Sequence, residues 1–348
     1  MAAQAGSKEP TESSDGLRGT RRRLSVVSDN KLIEGLASMG EAGTEEITSK
    51  TAKHVVKSYA GLSKKGYAPY NPRKRNQDSI MMVEDPATGS LLFGVLDGHG
   101  EAGDLVSHYL TDRIPDRVFA HKKWATDPLA ALSEETAKLE AALLSGACAC
   151  SPPVCAGVAN GNTSIDTEFS GTTAVMGVLR GNKLAVANIG DSRVILGEKT
   201  TGGTKAIEVS LDHKPDRPDE QKRIESCGGR VFAVEYDDGV DGPPRVWLGH
   251  MDIPGLAMSR SLGDSVAHTA GVISEPELTE AEVGPNVKTL IMGSDGLWEF
   301  ISNQEALDMI EGITDPKKAV DILVSESGER WMKEEQVIDD TTVIVAYF

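Results

Sequence analysis

Apolar runs that end at an aspartate are the clearest pattern along this chain. One run leads into Asp97, a second into Asp191 and a third into Asp295, while Asp339 stands just before a fourth. The length and β-branched content of these runs predict buried strands. Carboxylates gathered at strand ends repel one another unless cations lie between them, so the pattern predicts a metal site.

The spacing of other apolar positions predicts how the strands connect. The runs 172–179 and 183–189 are separated only by Arg180-Gly181-Asn182, a gap too short for a crossover helix. The two strands must therefore be antiparallel, which argues against a parallel, doubly wound sheet.

Helical spacing appears in three places. Leucines recur from Leu129 to Leu143 after Asp127-Pro128, and Ser302 with Glu305 has the spacing of a capping box. A third helix is predicted over 320–331. Antiparallel strands with a few long helices predict helices on the outer faces of packed sheets.

Composition limits the possible roles. The 348 residues are 39% hydrophobic, enough for a large core, and we expect one domain over 51–348 after a disordered tail over 1–50. No apolar stretch is long enough to span a membrane and no secretory signal is recognisable, so we expect a cytoplasmic or nuclear monomer. The net charge of −17 argues against a nucleic-acid partner.

Two short motifs have competing interpretations. Cys148, Cys150 and Cys155 have spacing that zinc or a disulfide would use, but no nearby histidine or cysteine completes a zinc site, and we favour a surface loop. Three arginines before Ser25 resemble a kinase site, although such triplets are common by chance.

Three motifs together carry a family resemblance. They are Asp-Gly-His-Gly at 97–100, Ser-Asp-Gly-Leu-Trp-Glu at 294–299 and Asp-Asp-Thr-Thr at 339–342. They resemble the metal-dependent protein serine/threonine phosphatases of the protein phosphatase 2C family, over about residues 58–348. The resemblance implies an α+β fold, with a central sandwich of two antiparallel sheets flanked by helices and a metal site in a cleft at one edge.

The resemblance also suggests which residues bind metal. Asp97 is the candidate bridge between two ions, and Gly98 lets its backbone carbonyl approach one of them. Asp295 and Asp339 would complete the second ion's ligands. Oxygen ligands suit Mn²⁺ or Mg²⁺ better than Zn²⁺. A water between the ions would become a hydroxide that attacks phosphorus in line, opposite the departing serine or threonine oxygen.

His99 is the candidate general acid. The family uses the histidine of this motif to protonate the leaving alkoxide, and a pKa near 6.5 suits the task. We expect structural roles for the other histidines.

A basic segment before Asp78 resembles the family's first motif, in which an arginine grips the substrate phosphate. Asp78 is placed among the metal-site residues, and counting back from it gives Arg73 as this clamp. Arg75 is a second candidate for the clamp. The alternative interpretation is that the basic segment is a solvated loop. Gln77 stands where many members of the family have Glu.

A weaker third metal is implied at Asp191, together with an acidic residue that here is Glu299. Asp340 replaces a usual Asn, and its extra charge would either tighten metal binding or repel Asp339. The stretch 212–258 resembles the family's flap, a mobile segment that shapes substrate choice.

Three activities fit these motifs. The chain is expected to hydrolyse phosphoserine and phosphothreonine in proteins. A catalytically dead member would only bind phosphoproteins, although the candidate ligands Asp97, Asp295 and Asp339 are all present. A general metallohydrolase for small phosphate esters would share the same two-metal chemistry.

Overall fold

The computed structural model describes residues 44–49, 55–145, 165–236 and 239–348. In chain order the strands are β1 (Thr44–Ser49), β2 (Ser58–Lys64), β3 (Asp78–Asp85), β4 (Ser90–His99), β5 (Gly171–Thr172), β6 (Ala174–Arg180), β7 (Lys183–Ile189), β8 (Arg193–Thr200), β9 (Gly203–Glu208), β10 (Arg230–Tyr236), β11 (Gly239–Trp247), β12 (Pro254–Leu256), β13 (Leu262–Gly263), β14 (Glu277–Glu282), β15 (Val287–Gly293) and β16 (Thr341–Tyr347). The helices are α1 (Gly103–Phe119), α2 (Pro128–Leu144), α3 (Pro218–Ser226), α4 (Ser265–His268), α5 (Asp295–Trp298), α6 (Asn303–Met309) and α7 (Pro316–Glu334).

Two antiparallel sheets form the centre of the molecule. One has six strands in the order β1-β2-β16-β15-β8-β9. The other has seven, in the order β13-β5-β4-β6-β7-β14 with β3 paired to β4. β6 and β7 form the predicted antiparallel hairpin, with Ala174 opposite Ile189. The fold-class prediction, α+β with a sandwich of two antiparallel sheets, is confirmed.

The strands have continuous apolar sequences because successive side chains point to opposite faces of the sheet and both faces are buried. On β4, Leu91, Phe93 and Val95 pack between the sheets, while Leu92 and Leu96 face α1 and α2. On β16 the same alternation sends Ile344 and Ala346 inward and Val343 and Val345 toward α6 and α7. Both faces of each sheet are therefore buried, giving four layers in the order helix, sheet, sheet, helix.

The predicted helices begin where their capping residues place them. Asp127 accepts a hydrogen bond from Ala130 N at 2.9 Å and starts α2, with Pro128 as the first helical residue. Ser302 and Glu305 form the predicted capping box of α6. The third helix, expected over 320–331, is longer, because Asp315 caps it and Pro316 opens it.

Two regions contain strands that the sequence patterning did not predict. Residues Thr44–Ser49 form β1, the edge strand of the six-stranded sheet, which pairs with β2 through backbone hydrogen bonds, so apolar patterning was not needed. The flap region contains α3 and a three-stranded sheet, β10-β11-β12, with its own small core that includes Ile224, Val246 and Met258. The Cys148–Cys155 and Ser25 motifs lie outside the described residues. Within the described ranges, none of the helices is long and apolar enough to cross a membrane.

Candidate active site

Neighbouring strands bring the predicted carboxylates to one end of the sandwich. Asp78 on β3 lies directly opposite Asp97 on β4 in the antiparallel register. Asp295 begins α5 just after β15, and Asp339 precedes β16, the strand paired with β15. Asp191 lies in the turn between β7 and β8. Residues distant in sequence thus share one edge of the core.

Charge repulsion shows how close these carboxylates are. Burial raises the pKa of Asp97 well above its usual value, and Asp78, Asp295, Asp339 and Asp191 raise it further through their charges. Burial, followed by the charge of Asp340, raises the pKa of Asp78 to about 8. A hydrogen bond from Ser294 Oγ to Asp78 Oδ2 at 2.8 Å only partly offsets this. A bound cation would stabilise the ionised carboxylates and so displace their protons into solvent.

The donor set fits hard divalent cations. Asp78 Oδ1 is buried without a hydrogen-bond partner, an arrangement that a ligand or ion would satisfy. A Cβ at Gly98 would lie 2.4 Å from Gly103 O and 2.5 Å from Gln77 O, so only glycine fits beside the carboxylates. As placed, no three Asp, Glu, His or Cys side chains among the described residues are grouped closely enough to hold an ion. Mutual repulsion of like charges favours such spreading.

His99 has a partner that the sequence did not reveal. Its Nε2 lies 2.6 Å from Asp264 Oδ2, and Ser261 Oγ donates to the same carboxylate oxygen at 2.6 Å. Burial acts against the charged imidazole, but the charge and hydrogen bond of Asp264 raise the pKa of His99 above its usual value. The available sequence signal was Gly263-Asp264 at the end of the flap. Asp264 adopts φ 48°, a left-handed conformation that is uncommon outside glycine.

The basic segment before Asp78 contains a cleft residue that the sequence did not single out. Lys74 lines the cleft, and its Nζ lies 2.5 Å from Asp340 Oδ2 and 3.4 Å from Asp339 Oδ1. Although burial opposes its charge, these two carboxylates raise the pKa of Lys74 above its usual value. Arg73 is exposed on the same loop, and Arg75 pairs with Asp104 at 3.0 Å.

Asp340 serves as an anchor for the surrounding loop. Its Oδ1 accepts a hydrogen bond from Gly66 N at 2.7 Å, and its Oδ2 accepts one from Gln77 N at 2.9 Å. Lys74 neutralises the extra charge that Asp brings in place of Asn. Gln77 extends the same network, because its Nε2 donates to Gly100 O at 2.7 Å and so braces the turn that carries His99.

The two residues of the implied third site, Asp191 and Glu299, differ in burial. Asp191 is buried and accepts a hydrogen bond from Lys214 Nζ in an ion pair. Glu299 is exposed at the end of α5. A third ion at Asp191 would compete with the ammonium of Lys214 for this carboxylate.

A cleft of about 330 Å³ opens over the carboxylates. Asp97, Gly98, His99, Asp295 and Asp339 all line it, together with Lys74 and Gln77. Arg245 of the flap lines it as well and donates to Gly255 O at 2.8 Å. The cleft therefore brings several carboxylates, two basic side chains and a histidine together.

The raised pKa values predict how the metal-free protein responds to pH. The pKa of Asp78 is about 8 in the folded chain, so below pH 8 this carboxyl group is mostly protonated there, whereas in the unfolded chain it is ionised. Folding therefore binds extra protons, and stability falls as pH rises from 6.5 to 8, by about 1 kcal/mol per pH unit for each such group. Thermal melts in chelator across this range test the expectation. Asp78→Asn should flatten the decline, and a stability that rises with pH would contradict it.

Comparisons with known proteins agree with the fold and the motifs. The family model for protein phosphatase 2C matches residues 81–331. Probable protein phosphatase 2C 35 of Arabidopsis thaliana is 31% identical over 304 residues, covering 82% of each chain. Probable protein phosphatase 2C 48 of Oryza sativa subsp. japonica is 31% identical and covers 95% of this chain and 97% of that protein.

Solved structures support the same architecture. The serine-threonine phosphatase 2C of Toxoplasma gondii superposes with a TM-score of 0.70 at 21% identity, covering 88% of this chain and 99% of that one. At this identity the likeness concerns the fold alone. The family model and the relatives carry the assignment further: this chain belongs to the protein phosphatase 2C family of serine/threonine protein phosphatases.

Proposed function

We propose that the chain hydrolyses phosphoserine and phosphothreonine esters of proteins at the cleft over Asp97, with two Mn²⁺ or Mg²⁺ ions. The observation that carries the proposal is the carboxylate cluster, in which Asp78 lies opposite Asp97 on paired strands and Asp97, Asp295 and Asp339 line one cleft. Burial and the charges of the neighbouring aspartates raise the pKa of Asp97, and bound cations would stabilise such a cluster in its ionised form. The same cleft contains His99, a proton donor.

The proposed ligands follow from their positions. Asp97 and the Gly98 carbonyl would hold one ion. Asp97 would also bind the second ion, whose other protein ligands would be Asp295 and Asp339. Asp78 would order water bound to the ions. When bound, the ions would supply an activated water nucleophile and neutralise charge on the phosphate. Gln77 and Asp340 act indirectly by bracing the turns that carry these ligands.

The proposed acid is held in place by Asp264. Because His99 Nε2 faces the Asp264 carboxylate, the other ring nitrogen, Nδ1, is left to carry the proton for the departing serine or threonine oxygen. The raised pKa of His99 keeps more of the imidazole protonated near neutral pH. Asp264 is thus a positioning residue, since it acts through His99.

Arg73 is proposed to grip the substrate phosphate, because it has the position of the clamp arginine in the family's first motif and is exposed on the loop that also brings Lys74 into the cleft. Arg73→Ala should raise KM by about 10- to 100-fold and leave kcat nearly unchanged, as expected for loss of one charge-assisted contact made in ground and transition states alike. Arg75→Ala is the matched control, since Arg75 pairs with Asp104. If Arg75→Ala raises KM and Arg73→Ala does not, the clamp is Arg75.

One comparison of substrates tests the activity. Turnover of phosphoserine and phosphothreonine peptides and of p-nitrophenyl phosphate is measured in chelator and then with Mn²⁺ or Mg²⁺ restored. A protein phosphatase should be inactive in chelator and should regain activity on the peptides. Activity on p-nitrophenyl phosphate alone would indicate a general phosphate-ester hydrolase, and binding of peptides without turnover would indicate a dead member of the family. Full activity in excess chelator would contradict the metal-dependent proposal.

A further inference from the structure

The cleft has an apolar wall that the proposed chemistry does not use. Its side chains come from three separate segments: the loop after β2, the flap strand β12 with the residues that follow it, and the connection from α7 to β16. The apolar residues that line it from these segments include Ala68, Tyr70, Leu256, Met258, Val337 and Ile338. The carboxylate cluster forms another part of the same cleft.

The wall is fixed in place by backbone and core contacts. Tyr67 and Ile338 exchange two backbone hydrogen bonds, each of 2.8 Å, which join the loop after β2 to the α7–β16 connection. Gly66 makes this approach possible, because a Cβ there would lie 2.2 Å from Ile338 O. On the flap side, Leu256 and Met258 belong to the flap's own buried core. The wall is therefore formed before any substrate arrives.

The rim of this wall exposes large aromatic surface. Tyr70, which lines the cleft, is 57% exposed, and Tyr67 on the same loop is 52% exposed. Large apolar groups exposed around a concave site are typical of binding surfaces. Most of the remaining exposed hydrophobics, such as Leu278 on β14, do not line the cleft.

We propose that this wall is a specificity subsite for an apolar side chain, such as Leu, Met or Phe, that flanks the phosphorylated residue in the substrate. The inference rests on the proposed function, because a phosphate ester held beside Asp97 brings the adjoining peptide residues into the same cleft. Charge favours the same occupant over an acidic one. Glu335, which lines the cleft beside Val337 and is not one of the proposed metal ligands, would repel a carboxylate in the substrate.

A set of phosphoserine peptides tests the subsite. Each position on either side of phosphoserine is changed in turn among Leu, Ala, Asp and Lys, and kcat/KM is measured with Mn²⁺. At one position at least, Leu should exceed Ala by about 10-fold, the effect expected for burying most of a leucine side chain. Asp at that position should fall below Ala.

Variants assign the preference to the wall. Val337→Asp should reduce the Leu-to-Ala ratio to near one, and Tyr70→Ser, at a largely exposed side chain of the same wall, should lower the ratio as well. Leu278→Asp is the matched control, because Leu278 is an exposed apolar residue outside the cleft. The Leu-to-Ala ratio of kcat/KM for this variant should equal that of the unaltered protein. Because the ratio is taken within one protein, a general loss of activity does not imitate the effect.

The failures of the two proposals are distinguishable. If the unaltered protein hydrolyses all the peptides at similar rates, the subsite is refuted while the proposed function stands. A preference for Asp would also overturn it, and would instead assign recognition to Arg245. If no peptide is hydrolysed with Mn²⁺ present, the proposed function fails and the inference falls with it.

Discussion

Replacement of Asp97 by Asn is expected to reduce kcat by about 10³-fold or more, equivalent to about 4 kcal/mol of transition-state stabilisation. The proposed bridging carboxylate lies opposite Asp78 on paired strands, so its loss alters the shared ligand of both ions. Asp295→Asn and Asp339→Asn should act in the same direction. Steady-state turnover of a phosphopeptide with saturating Mn²⁺ gives the comparison.

A folding control accompanies this expectation. Burial and neighbouring carboxylates raise the pKa of Asp97, so replacing its carboxyl group by a neutral amide should not destabilise the metal-free protein. The melting temperature of Asp97→Asn in chelator should equal or exceed that of the unaltered chain. Near-normal turnover by this variant would show that Asp97 is not a ligand, whereas lost turnover with a collapsed melting temperature would point to misfolding.

His99→Ala should affect substrates according to their leaving groups. Phosphoserine peptides need a proton on the departing oxygen, so their kcat should fall by about 10²-fold or more. Turnover of p-nitrophenyl phosphate should fall far less, because its leaving oxygen is stable without a proton. Steady-state kinetics on both substrates provides the test, and equal losses on the two would indicate that His99 is structural.

Asp264→Asn extends the same test to the positioning residue. This variant keeps the size and tolerates the left-handed backbone at φ 48°, but it removes the charge that faces His99. The loss of kcat should again be larger on phosphopeptides than on p-nitrophenyl phosphate. The double variant should lose little more kcat than His99→Ala alone. Independent, additive losses would show that Asp264 acts in some other way.

The sequence predicted the residues whose position depends on local pattern. Asp97 lies near the end of the buried strand β4, and Asp191 and Asp295 each follow a buried strand. Antiparallel pairing brings strand ends to common edges, so the proximity of these residues follows from patterning. The hairpin at Arg180-Gly181-Asn182 and the α6 capping box are likewise encoded by neighbouring residues. These local rules predicted antiparallel sheets with helices on their outer faces, and the family resemblance made the two-sheet sandwich specific.

Contacts between distant segments were beyond such reasoning. Asp264 meets His99 across 165 positions of sequence, and Lys74 meets Asp340 only because the loop after β2 folds against β16. The sequence could not show the effect of Asp340, because its carboxylate oxygens accept hydrogen bonds from the backbone N–H groups of Gly66 and Gln77 only in the folded chain. The flap's sheet was also hidden, because its short strands contain Gly and Pro, which weaken strand patterning.

Calorimetric titration of the metal-free protein with Mn²⁺ tests the central claim most directly. At pH 7, in two buffers of different ionisation enthalpy, we expect two ions to bind with release of protons, because burial raises the pKa values of Asp78 and Asp97 in the metal-free protein. Binding should tighten as pH rises toward 8 and should be largely lost in Asp97→Asn. Absence of Mn²⁺ binding, or binding that Asp97→Asn leaves unchanged, would contradict a metal centre built on this carboxylate cluster.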